Sequence, residues 1–174
     1  MNIVKLFETQ RILDERIEKE HPLIDGEDRL SKKLLALQVE LGELANEWRG
    51  FKFWSNDQEP RTNRFAPGVA DSYNYNPLLE EYVDCLHFIL SIGLEIDRND
   101  FEYLSDHDYK AHDITNQFMR TMDYAIGLRE DDYYADLLYS FIYLGEMLGF
   151  TWEQVVDAYY AKNQVNHERQ NTGY

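Results

Sequence analysis

The sequence predicts an all-α fold, a helical bundle formed as one domain over residues 1–174, and three observations support it. Apolar residues recur at spacings of three and four along several long segments, which is the period of one helix face. No segment shows the alternation of apolar and polar residues that half-buried strands require. One run, CLHFILSIGL, contains no acid, lysine or arginine, which is typical of a helix buried among other helices.

The first two helices are predicted from their apolar stripes. The first covers positions 3–17 and ends before His21, where HPLIDGED forms a turn. The second carries a stripe over positions 30–48, with acids at 25–28 before its start and Gly50 as its predicted stop.

Two polar segments of the chain have no helical period and are predicted to be long loops. Residues 55–77 are rich in Asn, Asp, Pro, Gly and Ser, and residues 98–112 are rich in Asp and Tyr. Between them, a third helix follows Pro77 and contains the uncharged run. We expect this third helix to lie at the centre of the bundle.

Three further helices are predicted in the last third of the chain. Their positions are about 114–128, about 132–148 and a final segment to the C-terminus. Gly149 is a suitable stop for the second of them. Thr151, with Gln154 three positions later, resembles a capping box that opens the last helix.

The composition excludes several classes of protein. Cys85 is the only cysteine, so an internal disulfide and a zinc site made of several thiolates are excluded, and a reducing, cytoplasmic location is expected. The first residues lack the apolar run of a signal peptide or membrane span. A formal net charge of −16 argues against binding to duplex nucleic acid. The acidity also fits simple solubility, or a basic protein partner.

Two carboxylate pairs are the strongest functional signal in the sequence. Glu40 with Glu43, and Glu81 with Asp84, are three residues apart, so each pair shares one helix face, and each borders an apolar stripe. Converging carboxylates repel by about 3 kcal/mol per pair at about 5 Å and an effective dielectric near 20. Mg²⁺ or Mn²⁺ suits such an oxygen-only site. Without metal, at least one acid should keep its proton to higher pH.

Other acidic groups have simpler explanations. Glu15 and Glu18 share the same spacing but are interleaved with basic residues, which indicates a solvated face. A di-iron site of the ferritin type needs two Glu-x-x-His pairs, which only Asp84 with His87 and Glu18 with His21 approximate, and the second pair lies at a helix end. An acidic helix pair without metal remains the alternative for the two main pairs.

Basic and aromatic residues supply a second signal. Lys162, Asn166 and Arg169 form one stripe on the last helix, where they could hold phosphates or simply balance the helix dipole. In WRGFKFWS, Lys52 stands among aromatic residues that include Trp54. This arrangement suits stacking on a nucleobase, although aromatic residues at a helix end also serve as core anchors.

Four segments, taken in chain order, resemble the motifs of a known enzyme family. They read LFETQRILD, VELGELANEWRGFKFW, EEYVDCLHFILS and KNQVNHERQNTGY. In this order they resemble the dimeric, all-α dUTP pyrophosphatases, which are related to the MazG-like nucleotide pyrophosphatases. The likeness runs nearly end to end and does not cover the loops at 55–77 and 98–112.

The resemblance implies a MazG-like all-α architecture with two long loops, and a homodimer. It implies hydrolysis of dUTP, and usually of dUDP, to dUMP, with Mg²⁺ held by the acidic motifs and Glu43 as candidate general base. The implied metal ligands are Glu40, Glu43, Glu81 and Asp84. The implied phosphate-binding residues are Lys52, Lys162 and Arg169. The implied nucleoside-binding residues are Gln10, Asp14, Trp54, Phe88, Asn166 and Tyr174.

Asp14 departs from the family pattern, because such enzymes often carry Asn at this point of the first motif. An ionised acid cannot donate a hydrogen bond as an amide does, whereas Gln10 keeps both a donor and an acceptor. Two other functions therefore stay open. One is the same chemistry on another nucleotide, such as dCTP or a damaged nucleotide. The other is a non-catalytic, acidic helical interaction protein.

Overall fold

The computed structural model describes residues 3–65, 74–99 and 109–173, and within them the chain is all-α, as predicted. The described part contains six helices and one short strand pair, and none of these helices is long and apolar enough to cross a membrane. The helices are α1 Val4–Glu20, α2 Arg29–Trp48, α3 Pro77–Glu95, α4 Ile114–Gly127, α5 Tyr134–Met147 and α6 Trp152–Asn171. The strands are β1 Arg64–Phe65 and β2 Asn74–Tyr75.

Helix α3 is the central helix, as its uncharged run predicts. The Asn76 side chain caps it by accepting from the backbone N–H of Leu79 (3.1 Å), and Pro77 occupies its first turn, where a missing N–H costs nothing. Buried side chains lie nearly all round its axis, and it packs against α1, α2, α5 and α6. The acids at its beginning are therefore held against neighbouring helices.

Helices α3 and α5 interlock through two tyrosine and glycine pairs. Tyr82 of α3 packs against Gly145 of α5, and Tyr134 of α5 packs against Gly93 of α3, so closely that a β-carbon at either glycine would overlap the tyrosine. Each hydroxyl also donates to a backbone carbonyl of the opposite helix, at 3.2 Å and 2.8 Å respectively. The two glycines therefore set the close approach of these helices.

Helix α2 ends at Trp48, close to the predicted stop around Gly50. Its C-cap is Arg49, in the left-handed region at φ 66°, rather than Gly50. The Arg49 guanidinium is buried and donates to the backbone carbonyl of Asp57 through Nε (3.2 Å) and Nη2 (2.6 Å). These tertiary bonds hold a residue type that rarely adopts this conformation.

The first predicted loop contains tertiary bonds and a short strand pair that its composition does not predict. Arg61 ties it to α2 through an ion pair with Glu47 (2.9 Å) and a backbone bond to the Glu47 carbonyl (3.0 Å). The strands β1 and β2 pair antiparallel, with Arg64 opposite Tyr75. Strands of two residues are too short to show alternation, so this pair leaves no pattern in the sequence. Residues 66–73 of this loop and 100–108 of the second lie outside the described residues.

The signals at the start of α6 are confirmed. Gly149 has φ 90° and follows the end of α5, where only glycine adopts this conformation without strain. The Thr151 hydroxyl accepts from the Gln154 backbone N–H (3.2 Å), and the Gln154 side chain accepts from the Thr151 backbone N–H (2.9 Å). This capping box sets the start of the helix that carries the predicted cations.

Candidate active site

Three of the four predicted metal ligands converge where α2 packs against α3. Glu40, Glu43 and Glu81 each offer a carboxylate oxygen, and these oxygens lie within 4.8 Å of one another. Glu43 is exposed, whereas Glu40 and Glu81 are half-buried. A site with only carboxylate oxygens fits a hard cation such as Mg²⁺ or Mn²⁺ better than zinc.

The electrostatics of this cluster agree with a site that needs a cation. Burial, together with repulsion from Asp84 and Glu43, raises the pKa of Glu40 to about 7. Burial likewise raises the pKa of Glu81 to about 7, with repulsion from Asp84, Glu43 and Glu40 added. The pKa values of Glu40 and Glu81 are therefore raised, which is the direction predicted for converging carboxylates without metal.

Asp84, the fourth predicted ligand, lies beside the cluster and is paired with Lys162. The Lys162 ammonium donates to Asp84 Oδ2 (2.6 Å) and to Glu80 Oε1 (3.1 Å). Burial opposes the charge on Lys162, but the bonds to these two acids outweigh burial and raise its pKa. Burial also raises the pKa of Asp84, while Lys162 opposes that change.

The Lys162 side chain is only 12% exposed, so this predicted phosphate-binding residue is largely buried. The reason is the packing of α6 against α3, which places the lysine stem between two helices. The ammonium nevertheless lies directly beside the acids, and it supplies positive charge at the edge of the cluster.

A cleft of about 590 Å³ runs along α3 from Glu40 and Asp84, which line it, whereas Glu43, Glu81 and Lys162 are not among its lining residues. Residues of α1, α2, α3 and α6 line it, so the sequence motifs that are distant in the chain meet at one surface. The predicted site residues among its lining are Gln10, Asp14, Glu40, Asp84, Phe88, Asn166 and Arg169.

A buried hydrogen-bond network forms the wall of the cleft away from the acids. Gln10 Nε2 donates to Asp14 Oδ1 (2.8 Å), and Gln10 Oε1 accepts from the Tyr159 hydroxyl (2.8 Å). His87 Nδ1 lies 2.8 Å from the same Oε1, and Ser91 Oγ donates to Asp14 Oδ2 (2.7 Å). Burial raises the pKa of Asp14, and the bonds from Ser91 and Gln10 oppose that change.

Three members of this wall were not assigned to the site by sequence reasoning. His87 bonds to Gln10 and stacks on Tyr159 with ring centroids 4.2 Å apart. Burial lowers its pKa to about 3, so it is neutral at physiological pH. Ser91 shares a helix face with Asp84 at a spacing of seven, which is the signal that could have identified it.

Two predicted site residues lie on the turn after α2 and do not line the cleft. The Lys52 ammonium lies 5.6 Å from the centroid of the Phe51 ring. Trp54 is 64% exposed and makes edge contacts with Phe51 and Phe53. A third predicted residue, Tyr174, lies outside the described residues.

Comparison with known protein families gives a match over nearly the whole chain. The family model described as dUTPase matches residues 2–174, and so it includes all four motif segments and both loops. No curated protein matches the chain. The family match agrees with the all-α fold and with the carboxylate cluster at the end of the cleft. The chain therefore belongs to the dUTPase family, in its all-α form, and has the dUTP diphosphatase activity of that family.

Proposed function

We propose that the chain hydrolyses dUTP to dUMP and pyrophosphate with Mg²⁺, or alternatively Mn²⁺, bound by the carboxylate cluster, and that it also accepts dUDP. The observation that carries this proposal is the convergence of Glu40, Glu43 and Glu81 within 4.8 Å of one another, because Glu40 also lines the nucleotide-sized cleft. Asp84 lies beside these three acids and is the fourth ligand that we propose.

The acids of the cluster have separate roles in this proposal. Mg²⁺, when bound, would neutralise charge on the phosphate oxygens and orient water for in-line attack. Glu43 is the exposed acid of the three, so its carboxylate is accessible to a water molecule bound at the cluster and can take its proton. Glu40 and Glu81 are more buried, which suits ligands held in a fixed geometry.

The cations of α6 and of the turn after α2 are proposed to bind the phosphates. Arg169 lines the cleft one turn from Asn166, and its planar guanidinium suits two phosphate oxygens at once. Lys162 holds its charge beside Asp84, where it reaches phosphates bound next to the acids. Lys52 would contribute from the turn.

The nucleoside is proposed to lie along the cleft from the acids towards Asp14. Phe88 offers its ring to the base or the deoxyribose, and Gln10 and Asn166 offer polar groups to the base. Trp54 and Tyr174 are proposed to complete this pocket on the basis of the family motifs.

We also propose a homodimer. The resemblance implies it, and exposed apolar side chains support it, because such side chains are more often covered in an assembly. On α2 these are Leu35 (63% exposed) and Val39 (50%), and on the following turn Phe53 (87%). Light scattering on the purified chain should give twice the monomer mass of 20.7 kDa. A cytoplasmic location stays a prediction from the single cysteine.

Turnover of dUTP and dUDP by the purified chain tests this proposal. With Mg²⁺ we expect dUMP and pyrophosphate from dUTP, and dUMP and phosphate from dUDP, separated by ion-exchange chromatography. A chelator should abolish both reactions, and Mn²⁺ should restore them. Full activity with a chelator would exclude the metal site, and absence of dUMP with either metal would exclude the activity.

A further inference from the structure

The position of Asp14 relative to the acids suits contact with a nucleobase. Asp84, Phe88 and Ser91 lie on one face of α3, and Ser91 is about 10 Å from Asp84 along the helix axis, at 1.5 Å per residue. Ser91 donates to Asp14 Oδ2 (2.7 Å), and both Asp14 and Asp84 line the cleft. A nucleotide with its phosphates at the acids therefore directs its base towards Asp14.

The amide of Gln10 has a fixed orientation beside Asp14. Its Oε1 accepts from the Tyr159 hydroxyl and lies 2.8 Å from His87 Nδ1, so both acceptor positions of this oxygen are occupied. Its Nε2 faces the Asp14 carboxylate, and that bond uses one of the two N–H hydrogens. Gln10 can therefore offer a base a donor, but its carbonyl is turned away.

Asp14 supplies the complementary acceptor. A carboxylate has about four lone-pair positions, and the bonds from Gln10 and Ser91 use two of them. Among the described residues, Lys33 pairs weakly with Asp14, because its ammonium lies 4.0 Å from Asp14 Oδ2 but 2.7 Å from Glu95. The wall thus presents one N–H donor beside a carboxylate that accepts further hydrogen bonds.

This pair of groups matches two different pyrimidines. Uracil presents its N3–H donor beside ring carbonyl acceptors, while cytosine presents its N3 acceptor beside a 4-amino donor. An Asn at position 14 could turn its amide to donate to the uracil O4, whereas an ionised Asp14 cannot donate and repels that oxygen. A carboxylate accepting from the cytosine amino group is the usual acidic contact with this base.

We propose that this chain hydrolyses dCTP as well as dUTP, with Asp14 accepting from the 4-amino group of cytosine and Gln10 donating to its N3. The inference rests on the proposed function, because it uses the same cleft and the same chemistry. Water attacks a phosphorus atom, the bond between the α- and β-phosphates breaks, and dCMP and pyrophosphate leave. With dUTP, Asp14 accepts from N3–H and Gln10 donates to a ring carbonyl.

The test compares dUTP and dCTP with the purified chain and Mg²⁺, measuring kcat/KM from the monophosphate formed. For the wild type we expect the two values to agree within about tenfold, since the wall offers each base two hydrogen bonds. Asp14→Asn should lower the ratio of the dCTP value to the dUTP value by about tenfold or more. Glu15→Gln, an exposed acid-to-amide change on the same helix, should leave both values unchanged.

The outcomes separate the two proposals. Formation of dUMP without dCMP overturns dCTP hydrolysis and leaves the dUTP activity standing, whereas formation of neither product overturns both. Formation of dCMP with an unchanged ratio in Asp14→Asn overturns the role of Asp14. The wild-type measurement decides the substrate range without any variant, and circular dichroism establishes whether Asp14→Asn is folded.

Discussion

Glu43 is the exposed carboxylate of the cluster, and its proposed role as general base gives a first prediction. Glu43→Gln keeps the size of the side chain and removes its charge and basicity. We expect kcat for dUTP to fall by about 10² to 10⁴. The far-UV circular dichroism should stay unchanged, because Glu43 is exposed.

The control for this variant is Glu8→Gln, an exposed acid on α1, which should keep full activity. If Glu43→Gln retains wild-type turnover, the carboxylate is not the base, and the activation of water must be assigned to another group.

Lys162 is expected to affect both stability and turnover, because its ammonium compensates the negative charge of the partly buried Asp84. Lys162→Ala should lower the free energy of unfolding by about 1 to 3 kcal/mol, since it leaves that carboxylate without its partner. It should also reduce turnover. Lys162→Arg keeps the charge and should recover most of the stability but less of the activity, because the two cations differ in shape.

Urea denaturation and dUTP turnover measure the two effects of these Lys162 variants separately. A Lys162→Ala chain with unchanged stability would show that the ion pair contributes nothing to the fold. Unchanged turnover would remove Lys162 from the phosphate site.

The acidic pairs could be predicted because helical spacing places residues three apart on one face. The same spacing predicted the stripe of Lys162 and Arg169 but not its partners. The pairing of Lys162 with Asp84 joins residues 78 positions apart, and the bond between Ser91 and Asp14 spans 77. Such contacts depend on how α1, α3 and α6 pack, which a local pattern does not determine.

The interlocked helices α3 and α5 give a prediction about packing. Gly93→Ala places a methyl group against the Tyr134 ring and hydroxyl, so we expect a loss of about 1 to 3 kcal/mol in the free energy of unfolding. Gly42→Ala is the matched control. Nothing lies within 4 Å of a β-carbon there, and the change should stabilise α2 by about 0.5 to 1 kcal/mol.

Thermal or urea unfolding measures the free energy of unfolding of both glycine variants. Equal effects of the two substitutions would mean that the tyrosine contacts do not limit the approach of α3 and α5.

Helix ends were predictable where a side chain or glycine acts locally, as at Gly149 and at the capping box of Thr151 and Gln154. Helix ends were not predictable where tertiary contacts determine the conformation of the terminal residue. Arg49, in the left-handed conformation, is held through its guanidinium by Asp57, which lies eight residues further along the chain, beyond the reach of any capping rule. The strand pair Arg64–Phe65 with Asn74–Tyr75 likewise depends on pairing across a loop.

For the molecule as a whole, the acidic cluster makes stability depend on both pH and metal. The pKa of Glu40 and of Glu81 is raised from 4.5 to about 7, so the folded chain keeps protons that the unfolded chain releases. Their stabilising contribution is fully present below about pH 4.5 and is lost as pH rises through about 7. Mg²⁺ binds the ionised carboxylates, so its stabilising effect should increase over the same range.

The measurement is the melting temperature with Mg²⁺ and with a chelator, at about pH 5.5 and at about pH 8. We expect a small difference at the lower pH and a larger one at the higher, where a hundredfold excess over Kd contributes about 2.7 kcal/mol. Glu40→Gln should reduce both the metal effect and its pH dependence. A metal effect independent of pH would contradict binding at these carboxylates.

The most direct test of the metal site is a crystal structure with Mn²⁺ and a non-hydrolysable dUTP analogue, using anomalous scattering to locate the ion. We expect an anomalous peak about 2.0 to 2.6 Å from carboxylate oxygens of Glu40, Glu43 and Glu81, next to the phosphates of the analogue. Phosphates bound in the cleft with no peak at these three acids would contradict it.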